Sequence, residues 1–169
     1  MSDNTEREYL WEKRHEVLYR VELSALYHRK RERYFDTLDR VIKAIAIIGG
    51  SAALSDVGGD SVVKIAAITI TVTSTLSLVF DLSGRARRHA DLAHEYSLIE
   101  KEIMEKGERD YSEEDTKQWA ARTRNIESDE PPVNDKLIQL CQNQLARARG
   151  KEEYIEPMGI FQWIKAYFY

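Results

Sequence analysis

The sequence predicts an all-α protein whose middle, Val41 to Phe80, crosses a bilayer twice as a helical hairpin between charged helices. Three observations carry that reading. Of 169 residues 32% are charged, yet Val41 to Phe80 holds only Lys43, Asp56, Asp60 and Lys64, all near the ends of two apolar runs. A polar, glycine-containing turn, Ser55 to Ser61, separates the runs. Lysines and arginines flank the block on both sides and are missing from the turn. A chain this polar overall, with its apolar side chains pooled, is divided between two solvents.

One domain over 1–169 accommodates the elements. The first is a helix over residues 5–40, where Leu10, Val17, Leu18, Val21 and Ala25 recur at helical spacing and no proline or glycine interrupts. Val41 to Val57 follows as the first span, short for a membrane helix. Lys43 lies one turn inside it, where a flexible stem can return the ammonium to the headgroups. Ala46, Gly49, Gly50 and Ala53 form a small-residue face that lets helix backbones approach closely in lipid. The second span is Val62 to Phe80. Ile65, Ile68, Val72, Leu76 and Val79 make its apolar stripe, and Thr69, Thr73 and Ser77 a hydroxyl stripe beside it. Thr69 to Thr73 also alternates as a strand does, but the length of the run favours a helix.

Arg29, Lys30, Arg31, Arg33 and Arg40 precede the hairpin, and Arg85, Arg87 and Arg88 follow it. The positive-inside rule then places both termini in the cytoplasm and the turn outside, as in a multi-pass membrane protein. Cytoplasmic helices fill 83–149. Ser112-Glu113-Glu114-Asp115 reads as a capping box, Pro131 and Pro132 break the chain, and Asn134 caps the next helix. A tail helix over 157–169 carries Phe161, Trp163, Tyr167 and Phe168, rings suited either to the headgroup zone or to docking on the chain's own helices or a second subunit.

Several function classes find little footing. The net charge of -4 and the scattered basic residues argue against a nucleic-acid partner. Cys141 is the only cysteine, which excludes an intrachain disulfide and a thiolate metal cluster. Residues 1–16 are charged throughout and lack the apolar core of a signal peptide, so insertion is expected from the internal block. Gly49-Gly50-Ser51 lacks the lysine of a phosphate loop. His89 and His94 point about 140° apart on a helix, and His28 and His89 read as packing residues. No catalytic set emerges, so neither enzymatic activity nor a cofactor or metal is expected.

The layout resembles the SLATT family, the SMODS- and SLOG-associating two-transmembrane effectors of bacterial conflict systems. The resemblance rests on Trp11-Glu12 and the stretch from Tyr27 to Tyr34 before the hairpin, and on His89 to Ser97 with Glu102-Ile103 after it. It continues through Glu130-Pro131-Pro132, Leu137, Cys141 to Gln144 and Gly150. It implies a membrane effector that assembles or opens when a separate sensor or nucleotide-signalling protein reports infection. Two helices enclose no aqueous path, so a pore requires a homo-oligomer, with Thr69, Thr73 and Ser77 towards the pore and Ile65, Ile68, Val72 and Leu76 towards lipid or other helices. Two rival readings are a two-span adaptor that presents a helical domain to a partner, and a soluble bundle with the hairpin as its core.

Overall fold

The computed structural model describes the backbone of residues 3–54 and 59–168 and the side chains of 5–51 and 59–167. All regular structure among them is helical: α1 (Asp3–Leu54), α2 (Gly59–Phe80), α3 (Leu82–Lys106), α4 (Glu113–Ser128), α5 (Asp135–Ala148), a 3-10 turn (Glu152–Tyr154) and α6 (Ile160–Phe168). The predicted helix over 5–40 and first span are one element, because nothing before Gly49 breaks the backbone hydrogen-bond ladder. Of the predicted turn at Ser55 to Ser61, residues 55–58 lie outside the described residues. Thr69 to Thr73 is helical.

The chain divides into two compact units, residues 1–30 with 90–169, and residues 31–89. In the larger unit Val17, Leu18, Val21 and Ala25 of α1 pack with Tyr96, Ile99 and Ile103 of α3 and Trp119 of α4. Four of the five residues of the predicted α1 stripe are thus buried, and Leu10 is half-buried. A second cluster joins Tyr27, Leu137, Cys141 and Ala166, with Met158 and Tyr167 against it.

Local sequence sets the helix ends. Ser112 accepts from Asp115 N–H at 3.1 Å while the Asp115 carboxylate accepts from Ser112 N–H at 2.9 Å, a closed capping box. The Ser112 backbone N–H, then Lys106 and the Ser112 hydroxyl, hold the Asp115 carboxyl below its ordinary 3.8. A carboxyl lowered by folding stabilises above its unfolded value, and the contribution is lost as pH falls through the lowered one. Protection of the Ser112 and Asp115 amides, relative to their intrinsic exchange at each pH, is therefore expected to fall on acidification below 3.8, with the centre of α4 unaffected.

Asn134 does more than cap α5. Its Oδ1 accepts from Lys136 and Leu137 N–H at 2.9 and 3.2 Å, and its Nδ2 donates to the Lys165 and Ala166 carbonyls of α6 at 3.0 and 3.3 Å. The Tyr27 hydroxyl accepts from Asn134 N–H at 3.0 Å. One residue thereby fixes α5, the end of α6 and α1 together.

In the smaller unit Phe35, Leu82 and Ala86 form the core, with Tyr34, Leu38 and Ile42 against it. Asp81 joins α2 to α3 in the left-handed region at φ 42°. Its carbonyl accepts from Arg85 N–H at 2.9 Å and its Oδ1 from Gly84 N–H at 3.2 Å, so it caps α3. A Cβ at Gly84 would lie 2.1 Å from Asp81 Oδ2, so a larger residue there must displace the capping carboxylate.

Candidate functional site

The smaller unit contains every apolar side chain of the predicted hairpin that is described. The end of α1 lies beside α2: a Cβ built on Gly49 would meet Ile70 Cγ1 at 3.6 Å and Ala66 O and Thr69 Cγ2 at 3.8 Å, and one on Gly50 would meet Ile70 Cδ1 at 3.8 Å. Those are ordinary van der Waals distances. Alanine at Gly49 is thus expected to be accepted, and with its better helix propensity to stabilise by up to about 1 kcal/mol. Leucine there carries a bulk the seam cannot hold, so Gly49→Leu lowers the thermal midpoint and Gly49→Ala does not, in a detergent melt.

Thr73 is buried, Thr69, Ser77 and Ala46 are half-buried, and the Ala53 side chain lies outside the described residues. The threonine hydroxyls turn back on their own helix. Thr69 donates to Ile65 O at 2.9 Å, Thr73 to Thr69 O at 2.8 Å, Thr71 to Ala67 O at 2.9 Å and Thr75 to Thr71 O at 2.8 Å. This internal bonding lets a threonine-rich helix keep its polar atoms satisfied in an apolar solvent.

The remaining face of the helix pair is apolar and open. Ile47, Ile48, Leu78 and Val79 are 69, 70, 82 and 70% exposed, and Ile65 and Ile68 are exposed alongside. The helical stretch Gly59–Lys106 holds one window long and apolar enough to cross a membrane, and only 11% of it is buried. Among the described residues that is the one such helix; the predicted first span, Val41 to Val57, runs past them at its end.

The basic flank is tied down by rings and carboxylates. Arg31 sits over the Phe35 ring at 4.7 Å and Arg85 over the same ring at 5.9 Å, while His89 stacks on it at 5.6 Å. Arg40 pairs with Asp36 at 2.9 Å, and Lys43 with the buried Asp39 at 2.5 Å. Arg33, Arg87 and Arg88 are exposed. Arg29 and Lys30 belong to the larger unit, where Arg29 donates to Ser97 Oγ at 2.7 Å.

The aromatic tail divides its faces. Ala166 is fully buried and Tyr167 half-buried in the second cluster, whereas Ile160 and Phe161 are 78 and 83% exposed and Trp163 half-exposed. The Phe168 side chain lies outside the described residues.

Sequence periodicity misses the polar centre of the larger unit. Glu130 Oε1 accepts from the Tyr96 hydroxyl at 2.5 Å and lies 2.9 Å from His28 Nε2, with His28 and Tyr96 both fully buried. Burial, then the Glu130 carboxylate, pushes the Tyr96 phenol far above its ordinary value, so it stays protonated and donates. Arg14, buried as well, donates to the Ile103 carbonyl at 3.2 Å in the last turn of α3, where a cation meets the helix dipole. Among the described residues no group of three or more His, Cys, Asp or Glu could hold a metal ion.

The fold and its open apolar helices define an all-helical protein with one helix fit to cross a membrane. No protein-family model, curated protein or solved structure matches the chain.

Proposed function

We propose that the chain is a non-enzymatic membrane effector of a bacterial conflict system, whose copies assemble in the inner membrane and permeabilise it when a separate sensor or nucleotide-signalling partner reports infection. The carrying observation is the outward exposure of the apolar side chains on α2 and the end of α1, Val79, Ile48 and Ile47 foremost. In water such a surface costs roughly 25 cal/mol for each Å² left uncovered, whereas in hydrocarbon it costs nothing. In this reading α2 and the end of α1 form the two spans, the arginines hold both termini in the cytoplasm, and the likeness to SLATT effectors supplies the defensive role. Several copies are needed because two helices enclose no water.

One observation favours a second reading, a two-span adaptor without a pore: the hydroxyls of Thr69, Thr71, Thr73 and Thr75 are spent on their own helix and not held out to water.

Fractionation followed by a growth assay tests both. The effector reading expects the full chain to stay in the pellet through alkaline carbonate and, on overexpression, to collapse the membrane potential and arrest growth. An adaptor stays in the pellet and is harmless without its partner. A chain released into the supernatant by carbonate contradicts both.

A further inference from the structure

We infer that an open groove between α1 and α2, at the arginine-flanked end of the pair, is the water-filled mouth of the conducting path, with hydrated ions as its occupants; this rests on the pore reading above. The groove measures about 420 Å³ and lies wholly within the smaller unit. Lys43 and Ala46 of α1 line one wall, Thr73, Ser74 and Ser77 of α2 the other, and Asp81 the end, with Ile42 and Leu78 as its two large apolar side chains.

Its chemistry sets it apart from the rest of the helix pair. Lys43 holds its ammonium 2.5 Å from the Asp39 carboxylate with its own side chain 60% exposed, so the ion pair is open to whatever fills the groove. Asp81 caps Gly84 N–H through Oδ1 and lines the groove as well. Ile65, Ile68 and Val72, by contrast, project from α2 on a different face and are 65, 64 and 51% exposed. Ser74 and Ser77 lie on the groove side at helical spacing from Asp81, and those isoleucines do not share it.

Hydrocarbon cannot cover an ion pair and a carboxylate, and charged groups at the ends of membrane segments face headgroups, a bundle interior or water. The isoleucine face carries no such penalty. An assembly that turns the groove inward and the isoleucines outward satisfies both surfaces at once. Water and ions therefore meet a composite wall from both helices, charged at Lys43 and Asp81. The single threonine stripe of α2 does not make that wall alone, since Thr69 lies against Gly49 and the Thr73 hydroxyl is bonded within its helix.

Single cysteines in the full chain, reconstituted in planar bilayers, test the assignment with a charged, membrane-impermeant thiol reagent. The native protein is the control: Cys141 is fully buried and its thiol is pushed up to about 11 by that burial, so the reagent leaves its current unchanged. Current recorded before the reagent certifies that each variant has inserted and assembled. Ser74→Cys and Ser77→Cys are expected to lose most of their current on modification, and Ile68→Cys and Val72→Cys to keep theirs. Block at Ile68→Cys or Val72→Cys with none at Ser74→Cys and Ser77→Cys overturns the groove while leaving the pore standing. A native chain that inserts and passes no current overturns the pore, and the groove with it.

Discussion

Ile68→Lys combined with Val72→Lys is expected to move the protein out of the carbonate-resistant membrane pellet. Both side chains stand on the open apolar face of α2, 64 and 51% exposed among the described residues. In hydrocarbon each lysine at the centre of a span costs about 2.5–3.5 kcal/mol, which two substitutions on one face double. In water the same exchange at an exposed position changes stability by about 0.5 kcal/mol or less in either direction. The two solvents thus give opposite results from one variant. Unchanged membrane retention of the double lysine variant sinks the assignment of α2 as a lipid-facing span.

Glu130→Ala is expected to produce the largest loss of stability in the larger unit. The carboxylate reaches into the unit from the connection between α4 and α5, where Pro131 and Pro132 hold the chain out of helix. There it meets two fully buried groups, the His28 imidazole and the Tyr96 hydroxyl. Hydrogen bonds to a charged partner are worth about 1.5–3 kcal/mol each, so losing both costs about 3 kcal/mol or more. Limited proteolysis of the connection in urea reads it out. Glu130→Gln keeps an acceptor in place and should fall between the native protein and Glu130→Ala. A native-like cleavage midpoint for Glu130→Ala means that the triad contributes nothing to holding the connection.

The elements most legible in the sequence were those whose signals are local. The Ser112 box and the Asn134 cap act over two or three residues, and both close as their spacing indicates. The stripe Val17, Val21 and Ala25 is buried because helical period alone determines which side of α1 is apolar. Where periods compete, local chemistry decides: the threonines that alternate as in a strand hydrogen-bond four residues back, which only a helix allows. Helix α1 continues past residue 40 because the change there from charged to apolar side chains is a change of solvent, and the backbone ladder runs through it unbroken.

Other features depend on long-range packing and leave no local mark. His28 and Tyr96 lie on two helices and Glu130 in a connection, and Arg14 reaches Ile103 over 89 positions. The candidate site divides in the same way. Its apolar character, small-residue seam and arginine flank were all open to reading from sequence. Which face of α2 meets α1 was not, since that depends on how Ala66 and Ile70 fit against Gly49 and Gly50. The groove that joins Lys43 to Ser74, Ser77 and Asp81 follows from this fit. Each wall alone is an ordinary helix face.

The central claim is that copies of this chain make a membrane leak, and dye release from liposomes tests it most directly. Purified full-length protein is reconstituted at increasing copies per vesicle, with insertion verified by carbonate resistance. The expected result is release that rises more steeply than in proportion to copy number, because several hairpins must meet before water is enclosed. Vesicles that hold their dye at every copy number, with the protein fully inserted, would contradict the account.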